Sequence, residues 1–214
     1  MFTPAIMLGT VIVHSFIISR ESASNLSEYT FSTTDIGDAE SSRRVHVVIH
    51  AAAGAAQTVT GVTIRGVAAT INMQTSSNVA ADFVNIAIVT AVVPTGASGD
   101  IVVTWSGAMT NTAIGVYRST GLSGQAALDT DNSTADPATA TLTSSPGGFC
   151  LGGVTQKDGT TVDWTVATED YDDTVETTLY SGGSVTTSGS TIAPSADYAA
   201  ATTPQVGGFA TFGI

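Results

Sequence analysis

Charge is scarce in this chain. Asp, Glu, Lys and Arg together supply 11% of its 214 residues, against about 25% in an average globular protein. Only 6 of these residues are basic and 18 are acidic, for a formal net charge of −12. That balance excludes ordinary nucleic-acid binding, which depends on Lys and Arg neutralising phosphates. It also disfavours contact with anionic membrane surfaces. Cysteine is nearly missing. Cys150 stands alone, so no intramolecular disulfide can form and the chain is not a disulfide framework. No apolar stripe with a 3.6-residue period is present. The longest apolar stretch, Pro4 to Ile18, is interrupted by Gly9, His14 and Ser15. It falls short of the roughly 18–20 residues that span a bilayer. It has no basic lead-in and no A-x-A site after it, so an export peptide is not expected. Arg20, Glu21 and a Ser-rich run end it. The expectation is a buried or inter-subunit strand, with residues 1–25 forming an apolar N-terminal arm or strand ahead of a single β-sandwich domain over 26–214.

What fills the chain is Thr, Ser, Val and Gly, the last at 22 residues, a composition suited to short strands and tight turns. Apolar and polar residues alternate from end to end. Arg43 to Ala52 shows it best: Val45, Val47 and Ile49 share one face, and Arg44, His46, Val48 and His50 the other. Tyr29 to Thr33 reads as a strand ending in the turn Asp35-Ile36-Gly37-Asp38. Val62-Thr63-Ile64 and Val67-Ala68-Ala69 flank Arg65-Gly66 as a hairpin. Asn85 to Val93 is apolar on both faces, as a central strand covered on each side would be, and Pro94-Thr95-Gly96 stops it. Ile101, Val103 and Trp105 alternate next, followed by Ala113 to Thr120. Gly121 to Pro137 is small, polar and acidic, and reads as a long loop. Strands resume at Ala138 to Thr143, Gly148 to Thr155 and Val162 to Thr168. Beyond the acidic run Glu169 to Glu176 come Thr177 to Ser181, a Thr/Ser-rich strand near Val185 reached through Gly182-Gly183, and Val206 to Ile214. Turns every 8–12 residues predict an all-β, antiparallel sandwich, preferably jelly-roll-like, with an immunoglobulin-like sandwich as the alternative. No fixed-period repeat is visible.

Catalytic patterns are missing. Histidine occurs only at 14, 46 and 50, and no G-x-S-x-G elbow surrounds any serine. On a strand, four residues span about 13 Å, so His46 and His50 share a face but cannot easily share a metal ion. They are expected to face solvent or an interface. Asp129, Asp131 and Asp136 resemble a calcium loop in composition, without the Gly and Glu of an EF-hand. The simpler expectation is a solvated acidic loop. Glu169, Asp170, Asp172, Asp173 and Glu176 are the densest charge cluster. They read as a solvated turn or a contact for a basic partner, rather than the spaced carboxylate pair of a glycosidase. Trp105, Trp164, Tyr117, Tyr171 and Tyr180 could stack on sugars, but aromatics reach only 7%, and core packing is the default. Asn25 and Asn132 sit in N-x-S/T sequons. No catalytic residue, metal or cofactor is expected, and the chain is not expected to be an enzyme.

Arg43-Arg44-Val45-His46-Val47-Val48, then Val62 to Thr70, Val93-Pro94-Thr95-Gly96 and Gly99 to Gly107 form a familiar set. Gly148-Phe149-Cys150-Leu151-Gly152-Gly153 and Thr168-Glu169-Asp170-Tyr171-Asp172 extend it. The set resembles uncharacterised structural proteins of tailed phages and prophages, especially of alphaproteobacteria. The resemblance covers residues 43 to 172 and beyond, and its motifs are structural rather than catalytic. It implies a virion component such as a capsid decoration, head-spike or tail-associated protein. Its partners would be other virion proteins and copies of itself, and the apolar Pro4 to Ile18 arm could dock against a neighbour. The competing function is a carbohydrate-binding or adhesin module for a host-surface glycan.

Overall fold

The computed structural model describes residues 11–199 and 204–214. Every regular element among them is a strand, and all the pairings are antiparallel. The first group is β1 (Val13–Ser22), β2 (Leu26–Asp35), β3 (Arg44–Ala53), β4 (Val59–Ile64), β5 (Val67–Ala68), β6 (Thr70–Val79), β7 (Asp82–Val92), β8 (Ser98–Met109) and β9 (Asn111–Thr120). The second is β10 (Asp129–Ser133), β11 (Ala138–Thr139), β12 (Leu142–Thr143), β13 (Phe149–Lys157), β14 (Val162–Thr165), β15 (Thr168–Val175), β16 (Thr178–Thr186), β17 (Thr191–Ile192), β18 (Ser195–Tyr198) and β19 (Gln205–Phe212). Among the described residues no strand of one group pairs with a strand of the other.

Within the first group, sheet I runs β1-β9-β3-β7-β6 and sheet II runs β2-β8-β4-β5. Within the second, sheet III runs β10-β19-β13-β16-β15. Two short ladders, β11-β18-β14 and β12-β17, lie beside it. They share one register, since Ala138 pairs with Ala196 and Leu142 with Ile192. Ala140 N–H donates to Pro194 O across the gap at 3.2 Å, so they form one interrupted sheet IV. The strand order therefore repeats. In each group the first strand lies beside the last, then come β3 and β13, then β7 and β16, then β6 and β15. The opposing sheet is built from the strands between. No sequence period announces this repetition.

The sheets stack in the order II, I, III, IV. Val45, Val47 and Ile49 of β3 pack with Ile101, Val103 and Trp105 of β8 between sheets I and II. Val48, Ile86 and Ile88 pack with Phe149, Leu151 and Phe212 between sheets I and III. Cys150, Val154 and Phe209 pack with Leu142, Val162 and Tyr198 between sheets III and IV. Each fully buried Val, Leu, Ile or Phe contributes about 1.5–3 kcal/mol of transfer free energy. The apolar pattern of Asn85 to Val93 thus has a simple cause: β7 is covered on both faces. The single sandwich expected over 26–214 describes either half of the stack; the whole has four layers. A boundary at residue 25 would also cut away an integral strand, because β1 pairs with β9 from Val13 to Ser22.

Local chemistry places these elements. Arg65 and Gly66 both have positive φ, 52° and 77°, the geometry of a two-residue hairpin turn between β4 and β5. The stretch from Gly121 to Pro137 is not all loop, since β10 forms within it. Gly182-Gly183 is no break either; it lies in the middle of β16.

Candidate functional site

His46 and His50 are fully buried between sheets I and III, which corrects the solvent-facing option. Alternation along β3 does place them on one face, but sheet III covers it. His46 Nδ1 lies 2.8 Å from Thr90 Oγ1 and its Nε2 lies 2.7 Å from Ser119 Oγ. His50 Nδ1 lies 2.9 Å from Thr155 Oγ1, and Nε2 lies 2.7 Å from Tyr171 Oη. The Thr155 hydroxyl donates to Asn85 O at 3.1 Å. Thr155 Oγ1 must therefore accept from His50 Nδ1–H, which leaves Nε2 to accept from the Tyr171 hydroxyl. Burial pushes both imidazoles down to about 3, with the His14 and Arg44 charges adding to the effect at His46. Both are neutral structural groups. Among the described residues no three His, Cys, Asp or Glu side chains converge as metal ligands.

Asp129, Asp131 and Asp136 are occupied by backbone amides. Asp129 accepts from Thr143 N–H at 2.7 Å and Asp131 from Thr141 N–H at 3.2 Å. Asp136 accepts from Tyr198 N–H at 3.1 Å. Asp129 and Asp131 lie two apart on β10, so both reach sideways to the chain around β12. They tie sheet III to sheet IV rather than converging on a cation. Hydrogen bonds from Thr143 and Thr130 hold the Asp129 carboxyl below its usual range.

Most of the acidic run is an edge strand; only Glu176 lies in the turn that follows. Glu169 to Val175 lies in β15, with a bulge between Glu169 and Tyr171. Asp173 accepts from the Ser19 hydroxyl at 2.7 Å and so ties β15 to β1. Desolvation, with the Glu169 charge, raises the Asp172 carboxyl to about 6.

The five aromatics do not form a sugar platform; they are divided among the cores. Trp105 lies between sheets I and II, and Tyr117 and Tyr171 between I and III. Trp164 packs against the core between III and IV, and its Nε1–H donates to Ser181 Oγ at 2.8 Å. Tyr180 is buried with Ala113 and Val175, and its hydroxyl donates to Asn111 Oδ1. Cys150 is another core residue, its thiol pushed by burial up to about 12. The sequon residues Asn25 and Asn132 are exposed.

Two surface features bear on function. The first is the edge made by β1, which among the described residues has a neighbour on one side only. Its inward face is anchored: His14 stacks on Phe149 at 4.7 Å and Phe16 on Tyr171 at 5.4 Å. Val11 and Val13, at its start, are 75% and 53% exposed. Residues 1–10 of the expected arm lie outside the described residues. The second is a cavity of about 280 Å³ at one end of the core between sheets I and II, lined by Gln57, Thr58, Gln74, Ser76, Asn85 and Trp105 among others. Pattern reading missed it because its lining is scattered over β6, β7, β8 and the segment before β4. Asn85 was legible only as the start of an apolar strand.

Comparison of the chain with protein-family models, with curated proteins and with solved structures returns no match.

Proposed function

We propose that this protein is a structural component of a tailed-phage virion, wound as two successive jelly rolls and acting through assembly contacts. The observation that carries the proposal is the β1 edge. An unpaired strand edge offers a row of backbone donors and acceptors to a neighbouring chain, and here it begins with exposed Val11 and Val13, next to the apolar stretch from Pro4. The buried histidines and aromatics pack in the cores and the described aspartates tie strands together, which supports a non-enzymatic role. Partners would be other virion proteins and copies of this chain, with the virion as its location.

Mass spectrometry of purified particles from a phage or prophage encoding the chain tests the reading, which fails if the protein is absent. Deleting residues 1–10, which leaves β1 and its stacking contacts intact, should abolish incorporation while the isolated protein stays folded. A second reading, recognition of a host-surface glycan, is favoured by the neutral polar cavity between sheets I and II.

A further inference from the structure

The cavity between sheets I and II is placed where the chain changes sheets. β3 pairs with β7 in sheet I as far as Ala53, and residues 54–58 then carry the chain across to β4, which pairs with β8 in sheet II. The sandwich is left open at that end, between the residues before β4 and the middle of β6. Thr58, Gln74 and Ser76 are exposed on the rim, and Asn85 and Trp105 are buried on the inner wall.

The chemistry of this lining is selective. None of its side chains is charged, so an ionised ligand would enter without a counter-charge, which is costly. Two residues of the lining carry N–H donors with no acceptor among the described residues, Asn85 Nδ2 and Trp105 Nε1, and both atoms lie just beneath the cavity surface. Both residues are more than nine-tenths buried, at 2% and 4% exposure, and a buried donor of this kind is an exception that calls for a partner. Acceptors are present too. Gln74 Oε1 takes one hydrogen bond from Val59 N–H at 2.9 Å, and Gln57 Oε1 one from Ser106 Oγ at 2.7 Å; each amide oxygen has room for a second. The matching ligand is neutral, with groups that both accept and donate. At about 280 Å³ the space lies at the small end of ligand pockets, which suits one sugar ring rather than a chain or a nucleotide. Trp105 is too buried to act as a flat stacking platform, so its part is the indole N–H, reached when the wall gives way.

We propose that this cavity is a binding site for a single neutral sugar residue, a small shift of the inner wall on binding bringing the Asn85 and Trp105 N–H groups onto its hydroxyl oxygens. The site rests on the glycan reading above and does not depend on virion incorporation. The test uses the full chain carrying Trp164→Phe, so that Trp105, the other of the two tryptophans, reports alone. Glucose, galactose, mannose and N-acetylglucosamine are titrated by fluorescence and by saturation-transfer NMR. At least one should give a saturable change in both, while the acid sugar N-acetylneuraminic acid should not compete. Ser76→Arg, at the exposed rim, should weaken that binding at least tenfold with an unchanged circular dichroism spectrum and melting temperature. If none of the four sugars produces a saturable change in the folded protein, the proposal is overturned. If the protein binds glycans on an array and Ser76→Arg leaves that binding intact, glycan recognition survives but this cavity is not its site.

Discussion

The Tyr171 hydroxyl donates to His50 Nε2 at 2.7 Å, joining β15 of one sandwich to β3 of the other. Both side chains are buried, and the tyrosine ring is wedged against Gly115 on β9 and Gly182 on β16. Tyr171→Phe should keep the ring and leave Nε2 without a donor. An unsatisfied buried acceptor costs about 1–3 kcal/mol, so the urea midpoint should fall with an unchanged m-value. An unaltered midpoint would show that the bond contributes nothing.

The same wedge makes the glycines sensitive. A Cβ at Gly115 or Gly182 would overlap the Tyr171 ring. Gly182→Ala should cost about 1–3 kcal/mol, the usual range for an overpacked core. In a Tyr171→Ala background most of that penalty should vanish, and a double-mutant cycle by chemical denaturation measures the difference.

Acid should loosen the joint between the sandwiches. His46 and His50 sit near 3 when folded, against about 6.5 unfolded. The unfolded chain therefore binds more protons across that interval, and stability falls as pH drops from about 6.5 toward 3. Urea midpoints measured between pH 8 and pH 4 should decline below pH 6.5. The decline should be shallower in a His46→Gln/His50→Gln variant.

Asp172 works in the opposite direction. Its carboxyl is raised to about 6 in the fold, so ionising it between about 4 and 6 costs stability. Asp172→Asn should raise the urea midpoint at pH 7 and have little effect at pH 4. An equal gain at both pH values would point to a cause other than charge.

Arg43 should tolerate no replacement. Fully buried, it donates to the carbonyls of Val93, Ile36, Gly37, Thr95 and Gly96, binding two turns to the start of β3. A lysine has no planar fork with which to serve these carbonyls. Arg43→Lys should cost about 3 kcal/mol or more, measured as a loss of melting temperature.

The sequence showed some of this directly. Alternation placed Val45, Val47 and Ile49 opposite His46, Val48 and His50, and Arg65-Gly66 revealed its hairpin, because both signals are local. The two-sided apolar pattern of Asn85 to Val93 even marked a strand covered on both faces. What covers it was not legible, because period-2 patterning reports that a face is buried and not which sheet buries it. For the same reason His46 and His50 could be assigned a face but not an environment. Gly182-Gly183 looked like a turn because the need for bare backbone comes from the rings of Tyr171 and Trp164, which approach from other strands. The cavity was hidden for a similar reason: its unpaired donors, on Asn85 and Trp105, are brought together only by the stacking of sheets.

The core between sheets I and III has a consequence for how the molecule holds together. Neither half owns it: Val48 and Ile86 come from one, Phe149 and Phe212 from the other. The chain is in effect a heterodimer whose two subunits have been fused, with residues 121–128 as the tether. Leu122 of that tether is itself buried in the shared core, so a cut beyond it would remove connectivity while leaving each fragment with its half of one continuous apolar face.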